Sequence, residues 1–490
     1  MKREFVISLV LSILANALVK PFYILGIDRT IQNRTGPQSY GLYFALLSFT
    51  LLFQVINDFG IHLYQSRNIA QHPHLLHKLL PSTLALKGVL AICFSVLVCG
   101  AAWLAGYQAE AWQLLGWLIG IQILTSLMLF LRSSLTGLGY YRLDSLLSVA
   151  DRLLLIIVLG CILWVFPYGK SFQVLWLAQA QLVTLSIAVL LAAIALWHHL
   201  RHQPQRLHWR PRLPLMRIIL RQSAPFALAI FLMTAYTRLD AVMLERLLPN
   251  GTYEAGVYAS AYRLLDAANM VGALFAGLLL PMFARLLKAQ IPTRPLTDLA
   301  FRLIMTLALT TAVSCTTFRH QLMNLLYTHA QPEWEYVLSW LIWSFVATSS
   351  MYIFGTLLTA GGYLKILNHL FATSIALNIA LNLWLIPHWG AIGAAIATVF
   401  TQAFVSLRQM HLAQRLQHSG PTRSTILRLG IFVLLLAGTA VASTVLHIAW
   451  PARLAIVVAC GPLWAWSLKL IPLQQLAKWM PYPANKPTNK

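Results

Sequence analysis

The chain alternates long apolar runs with short polar and basic stretches. Leu182 to Leu196 and Ile431 to Val445 contain no charged residue. Crossing a bilayer takes roughly 20 mostly apolar residues in a helix, so runs of this kind read as spanning helices. Set against turn and charge signals, the pattern predicts about fourteen of them. Their approximate bounds are 5–27, 39–63, 79–104, 112–134, 145–166, 172–197, 222–247, 254–283, 299–318, 335–360, 366–386, 390–413, 426–447 and 452–471. No gap between them has room for a soluble domain. The expected fold class is an all-α polytopic membrane protein.

Composition agrees. Of 490 residues 59% are hydrophobic and only 10% are charged, with a mean hydropathy of +0.69. Soluble domains carry about 25% charged residues, so this chain could not cover a water-facing surface. The formal net charge is +23. Its placement along the chain explains it better than a nucleic-acid partner does. With the N-terminus in the cytoplasm, the inner connections hold 25 lysines and arginines and the outer ones six, namely Arg29, Arg34, Lys170, Arg246, Arg319 and Arg453. That is the positive-inside bias, and no basic patch is interleaved with aromatics on a soluble domain. An even helix count places both termini in the cytoplasm, and the expected location is a bacterial inner membrane. Lys2, Arg3, an apolar run and Ala15-Asn16-Ala17 imitate a cleavable signal peptide. The internal repeat makes this segment the partner of a later helix, so it is read as a retained first span.

Three phrases recur in order. Gly36-Pro-Gln-Ser-Tyr-Gly41-Leu-Tyr43 returns as Gly251-Thr-Tyr-Glu-Ala-Gly256-Val-Tyr258, an offset of 215. LTGLGYYR (Leu135 to Arg142) returns as LTAGGYLK (Leu358 to Lys365), an offset of 223. Phe166-Pro167-Tyr-Gly169 returns as Ile386-Pro387-His-Trp-Gly390. Collinear matches at a nearly constant offset indicate duplication of a six-helix unit. The predicted division is a first lobe over 1–200, a basic linker over 201–221, a second lobe over 222–416, and two further helices with a tail over 417–490. Six is even, so the lobes share one orientation and are related by a pseudo-twofold axis along the membrane normal. A substrate site is expected between them.

A charge at the centre of a spanning helix costs about 2.5–3.5 kcal/mol on insertion scales, so it should face a partner or a wet cavity. The candidates are Lys20, Asp58, Lys87, Asp151, Arg152, Arg238, Asp240, Arg263 and Asp266. Arg263 and Asp266 are three apart and share a helix face. Arg238 and Asp240 are two apart and do not, so Asp240 is expected to reach another helix. Asp58 is assigned to a structural pair with Lys87 or Arg152, with ion coupling as the other role. Lys87 and Arg152 are otherwise read as snorkelling to the inner surface. Pro21, beside Lys20, breaks a helical hydrogen bond and should kink the first span into a hinge.

Other chemistry is thin. Cys93, Cys99, Cys161, Cys315 and Cys460 form no CxxC and read as small core hydrophobes. His72, His74 and His77 lack an acidic or Cys partner nearby and read as a solvated loop, so no metal is assigned. No P-loop is present, which excludes ATP hydrolysis in this chain. No catalytic constellation appears, which weighs against an intramembrane glycan-processing enzyme. The basic stretch HHLRHQPQRLHWRPRLPLMRIILR suits anionic lipid headgroups.

The segment from Asp240 to Arg285 carries an Asp, then Gly256-Val-Tyr258-Ala-Ser-Ala261-Tyr-Arg263, then Leu280-Pro281-Met-Phe-Ala284-Arg285. It resembles the polysaccharide-biosynthesis, or O-antigen (Wzx-type), flippases of the multidrug/oligosaccharidyl-lipid/polysaccharide exporter (MOP) superfamily. GPQSYGLYFALLSFTLLFQVINDFGI resembles that family's second helix. NIALNLWLIPHWGAIGAAIATVFTQ, with Asn378, Asn382, Pro387, Gly390, Gly393 and Ala394 on the pattern, resembles its helix 11–12 hairpin. The resemblance implies translocation of an undecaprenyl-pyrophosphate-linked oligosaccharide by alternating access, for surface polysaccharide biosynthesis. It implies membrane lipids, a polysaccharide polymerase and other assembly proteins as partners. No cofactor is expected, and a proton or sodium ion is the candidate for coupling.

On that reading Lys20, Arg238 and Arg263 make a cationic cavity for the pyrophosphate, arginine by its planar fork and lysine as a point charge. Asp240, Asp266 and Asp58 are structural or coupling acids. The same cations also fit inter-helix ion pairs that fix the fold. A lipid II flippase would share the fourteen helices and the cationic cavity. A cation-coupled multidrug exporter would want an acid in its cavity, and the first span holds none between Phe5 and Ile27. If Pro21 is a hinge, Pro21→Ala slows translocation without lowering protein level. Surface polymer in cells carrying the variant measures this, and wild-type polymer would disprove the hinge.

Overall fold

A computed structural model describes residues 18–71, 76–166, 171–201 and 211–471. Lys2, Arg3 and the first part of the first span, His72, His74, Pro167, the linker residues 202–210 and the tail from 472 lie outside the described residues. Every regular element among the described residues is helical. Ten helices are long and apolar enough to span a membrane. Two of these, Leu18–Asp58 and Leu364–Gln417, are each divided by a non-helical glycine, Gly36 (φ 77°, ψ 166°) and Gly390 (φ 53°, ψ −132°). The bent helix Leu213–Leu247 is an eleventh, and with the two glycine breaks and the shorter helix Trp450–Ser467 the arrangement is roughly consistent with the fourteen expected spans.

In chain order the elements are α1 (18–35) and α2 (37–58), then α3 (Ile61–Gln71), α4 (Leu76–Leu104), α5 (Ala109–Gly137) and α6 (Tyr141–Gly160). Next come α7 (Val174–Arg201), α8 (Leu213–Leu247), α9 (Gly251–Lys288), α10 (Arg294–Thr317) and the short α11 (Arg319–Leu326). The chain continues with α12 (Pro332–Leu341), α13 (Trp343–Ala360), α14 (364–389), α15 (391–417), α16 (Arg423–Val445) and α17 (Trp450–Ser467). Residues Tyr23–Asp28 within α1, and Cys161–Val165 after α6, are wound as π-helix.

One correction matters for the site. The first described helix does not stop at Ile27. It runs on through Asp28, Arg29 and Arg34 to Gly36, where Pro37 opens α2. Proline suits the first helical position because the N–H it lacks would have no intrahelical acceptor there. The polar stretch DRTIQNRT is thus helix, and the true break is the glycine-proline step. The second predicted span also ends early. Phe59 (φ 50°) and Gly60 (φ 68°) turn left-handed, and α3 starts at Ile61. A Cβ on Gly60 would lie 2.8 Å from Phe226 Cβ and 2.9 Å from the Ala227 nitrogen, so glycine is required where α8 passes.

The duplicated phrases fold alike. In LTGLGYYR, Leu138, Gly139 and Tyr140 donate backbone N–H groups to Ser134, Thr136 and Leu135 at 3.1, 3.0 and 3.0 Å. In LTAGGYLK, Gly361, Gly362 and Tyr363 donate to Leu357, Thr359 and Leu358 at 3.0, 3.1 and 3.0 Å. Gly139 (φ 90°) and Gly362 (φ 80°) take the left-handed position that ends a helix in this way. Each bond in one copy has its counterpart 223 residues on.

The chain divides into two compact units. The first comprises residues through Val271, then Met323–Val337 and Leu364–Thr401. Within it, residues 29–58 pack along α8, and α5 packs between α2, α3 and α7. Its tightest approach joins the matched phrases. A Cβ on Gly41 would lie 1.8 Å from the Thr252 carbonyl oxygen and 2.6 Å from the Gly256 nitrogen. A Cβ on Gly256 would lie 2.0 Å from the Pro37 carbonyl oxygen. Backbone meets backbone here, the contact that small residues permit between membrane helices.

The second unit comprises Gly272–Leu322, Leu338–Tyr363 and the chain from Gln402. Its core groups Phe301, Ile304, Phe354, Phe432 and Leu436, all buried, where α10 meets α13, α16 and α17. A Cβ on Gly461 would press Thr310 Oγ1 at 2.7 Å, so α17 sits close on α10.

The cysteines are not core residues. All five are unpaired and none is buried, and Cys93 and Cys161 are exposed on spanning helices, a position that an apolar thiol tolerates in lipid.

Gly256→Ala should abolish the folded, monodisperse peak in size-exclusion chromatography of the detergent-solubilised protein. Gly88→Ala, where a Cβ meets nothing within 4 Å, should leave that peak unchanged.

Candidate functional site

The intramembrane charges that the sequence singles out fall into four groups in the first unit. The first centres on Asp28, 1% exposed, which the helical extension of α1 carries inward. Arg263 Nε of α9 lies 2.6 Å from Asp28 Oδ2. Tyr40 OH donates to the same oxygen at 2.7 Å and accepts from Arg263 Nε at 3.0 Å. Asp266 is only a second partner, 3.7 Å from Arg263 Nη1. The expected pair within α9 therefore exists, but the main partner lies 235 residues away on α1. Phe44 lies 5.4 Å beneath the guanidinium, and Arg238 stands 5.3 Å over the Tyr262 ring. Asp28 Oδ1 is buried and accepts no hydrogen bond from the described residues.

Two backbone facts place this pair. Gln32 Nε2 donates to the Gly256 carbonyl at 3.0 Å. Asp28 and Gln32 are one turn apart on α1, and Gly256 and Arg263 are two turns apart on α9, so each pair shares a helix face. The antiparallel seam that the glycine contact opens thus delivers Asp28 to Arg263. On the rim of the seam, Arg29 donates to the carbonyls of Leu326 (2.6 Å) and Leu325 (2.9 Å), and Asn33 Nδ2 to Leu326 (2.8 Å). These are free carbonyls at the end of α11. Tyr327, outside the spans, donates to the Ser260 carbonyl at 3.1 Å. Burial pushes its phenol above the ordinary range, so it stays a neutral donor.

The second group encloses Asp240, also 1% exposed. Asn378 and Asn382 of α14 donate to Oδ1 at 3.0 and 2.6 Å. Thr398 of α15 and Tyr258 of α9 donate to Oδ2 at 2.5 and 3.1 Å. Asp240 does reach other helices, as the spacing from Arg238 requires, but its partners are neutral. Asn382 Oδ1 is a further buried oxygen without a hydrogen-bond partner. A carboxylate sealed among neutral donors and a spare amide oxygen can take up a proton or a small monovalent cation, since either removes a buried net charge.

In the third group, Lys87 Nζ donates to Asp58 Oδ1 at 2.9 Å and to Ser126 at 2.6 Å, and His62 closes on Asp58 Oδ2. Lys87 is 6% exposed, which corrects the snorkelling expectation: its carboxylate partner lies inside, so the ammonium stays there. Arg152 takes no part in this pair. It belongs to the fourth group, half-buried and 5.0 Å over the Tyr23 ring, with its Nε 3.6 Å from Asp151. Nearby, Arg132 Nε is bound to Asp144 at 2.7 Å. Lys20 is half-buried on α1, one turn before Tyr23, the ring over which Arg152 lies. Pro21 follows it, two residues before the π-helical turn begins at Tyr23.

Sequence reasoning missed Asp28. A hydropathy window closes at the polar stretch DRTIQNRT, and only Gly36-Pro37 signals that the helix continues to that point.

Apolar helices of spanning length, with charges sealed between them, define a polytopic helical membrane protein. Residues 5–287 match the family described as "Polysaccharide biosynthesis protein", and the chain belongs to that family. Among solved structures it is similar to the lipid II flippase MurJ in an inward closed conformation, at 12% identity over 96% of this chain and 99% of that one, with a TM-score of 0.73. It is similar to an inward-facing multidrug resistance MATE family transporter of the MOP superfamily, at 15% identity over 82% and 98%, with a TM-score of 0.60. A MOP superfamily transporter from Pyrococcus furiosus, whose title notes a binding pocket of reverse polarity, matches at 16% identity over 84% and 94%, with a TM-score of 0.57. No match was found among curated protein sequences.

Breaking one side of a buried ion pair strands the other charge, at a cost of about 3–5 kcal/mol. Asp28→Asn and Arg263→Gln should each lower the thermal unfolding midpoint of the purified protein. The double variant should lose less than the two losses added. Strict additivity would show that the pair is not formed.

Proposed function

We propose that this protein is a flippase that carries an undecaprenyl-pyrophosphate-linked oligosaccharide across the inner membrane, for surface polysaccharide biosynthesis. The observation that carries the reading is membership of the polysaccharide biosynthesis family together with arginines held between spanning helices. A pyrophosphate has at least two negative charges and must cross a region of low dielectric. Arg263, Arg238 and Lys20 supply the compensating charge, and arginine can hold phosphate oxygens at two points.

In the resting chain Asp28 and Asp266 occupy Arg263. The substrate phosphate replaces these carboxylates as the counterion, so Asp28 and Asp266 keep the cation from standing bare while the site is empty. The sugars follow the pyrophosphate through the wet path, and the polyprenyl tail stays in lipid. The proposed lobes, 1–200 and 222–416, alternate access about the seam between α1 and α9. Pro21 and the π-helical turn are where α1 bends. The linker 201–221 and the tail that follows the last two helices lie on the cytoplasmic side with both termini, and the polymerase and other assembly proteins receive the product outside.

Two observations bear on energy coupling. Asp28, one residue beyond the predicted first span, supplies the acid that a cation-coupled transporter needs, and Asp240 supplies another without a cationic partner. A proton or sodium ion at Asp240 fits this arrangement. The lipid II reading is supported by the likeness in fold to MurJ, and the two flippase readings differ in the sugar carried.

Arg263→Glu and Arg238→Glu should abolish surface polymer while the protein remains at normal level in membranes. Complementation of a strain lacking the chain, scored by polymer gels and immunoblots, measures this. Normal polymer from both variants would overturn the cavity. Restoration of lipid II translocation, and not of polymer, would decide for the second substrate.

A further inference from the structure

We infer that Arg29 and Arg246 are two copies of one latch, related by the internal duplication, which together close the outer end of the translocation path. The inference rests on the flippase reading and its orientation, in which both arginines fall in outer connections. Arg246 stands at the end of α8, the helix that opens the second repeat. Its Nη1 donates to the Ala105 carbonyl, just past the end of α4 in the first repeat, at 2.9 Å. Arg29 stands on α1, the helix that opens the first repeat. Its Nη2 donates to the Leu325 carbonyl, at the end of α11 in the second repeat, also at 2.9 Å. Each arginine thus reaches a helix end of the other repeat.

The surroundings match as well. Arg29 and Arg246 are 217 positions apart, Ala105 and Leu325 are 220 apart, Tyr107 and Tyr327 are 220 apart, and Trp112 and Trp334 are 222 apart. These offsets fall within the range set by the repeated phrases. In both turns the tyrosine is held by its tryptophan. Trp112 Nε1 donates to the Tyr107 carbonyl at 3.0 Å, and the Tyr327 and Trp334 rings stand 5.7 Å apart. Each arginine also has a second prong beside it. Glu245 Oε2 accepts from the Tyr107 hydroxyl at 3.1 Å, and Asn33 Oδ1 accepts from the Thr328 N–H at 3.1 Å. A chance surface contact has no reason to recur with the repeats exchanged.

The chemistry suits a closure that opens. A helix end leaves its last carbonyls without intrahelical donors, and the guanidinium fork can meet them. Both bonds lie at exposed positions, so water can take over donor and acceptor when they part. The Asp28–Arg263 pair is sealed and has no such substitute. Placement ties the latch to the site. Arg29 directly follows Asp28, so freeing Asp28 from Arg263 loosens the same end of α1. Tyr327, in the turn that Arg29 grips, donates to the Ser260 carbonyl, three residues before Arg263 on α9. Phosphate bound at Arg263 in place of Asp28 would therefore slacken the latch on the side where the substrate leaves.

The test is the access of a membrane-impermeant thiol reagent to Ser260→Cys in the full-length chain in spheroplasts, read at that peptide by mass spectrometry. Ser260 is fully buried, and cysteine is close to it in size. In the parent carrying only Ser260→Cys, labelling should be slow. Arg29→Gln and Arg246→Gln should each speed it about tenfold, the scale of one charged hydrogen bond, and the double variant should exceed either. Arg29→Lys and Arg246→Lys keep a donor and should fall between Gln and parent. Arg453→Gln is the control for general loosening. Arg453 also donates to backbone carbonyls, Ile448 at 2.8 Å and Thr444 at 3.4 Å, but within the hairpin of α16 and α17, outside the repeats. Parent labelling in the double Gln variant, or equal acceleration by Arg453→Gln, would overturn the latch. Acceleration seen only in inside-out vesicles would overturn its outer placement. Acceleration from outside, in a chain that restores no surface polymer when unaltered, would uphold the latch and overturn the flippase reading.

Discussion

The backbone contact between Gly41 and Gly256 is the constraint on which the rest depends. Lipid offers no hydrophobic drive for helices to associate, so close packing has to come from shape. Two glycines let α2 and α9 meet at backbone distance, and no other residue type could. From that point the seam continues through Gln32 to Asp28 and Arg263 at helical spacing. One Cβ at the glycine contact would push apart groups that sit 2.6 Å from each other several turns away.

The buried charges divide by how they are satisfied. Arg263 and Lys87 have carboxylates, hydroxyls and aromatic rings around them. Asp240 has four neutral donors and no cation. Arg152 lies over the Tyr23 ring with about a third of its side chain exposed. Matched pairs hold the helices together, and a sealed acid without a cationic partner can take up a proton or a small cation. The low dielectric that makes each unmatched group costly also makes its response to an arriving charge large.

Much of this was legible in the chain. Apolar runs located the spanning helices, because hydrocarbon demands an unbroken apolar stretch whatever the partners. The repeats LTGLGYYR and LTAGGYLK fold into the same hydrogen-bonded stop, because that stop needs one left-handed glycine and only local backbone groups. The two-residue spacing of Arg238 and Asp240 required Asp240 to find partners on other helices, since such positions point apart.

The sequence alone determined which apolar segments are helical, where the duplicated stops fall and which charges within those segments had to be accommodated. These follow from solvation and local geometry, which a residue and its neighbours settle between them. Tertiary structure decided the partners. Asp28 looked like a loop residue because its neutralising cation is 235 positions away, and Lys87 looked free to snorkel because Asp58 is on another helix. A polar residue beside an apolar run is placed inside or outside by the charge it meets, and that charge arrives only when the helices pack.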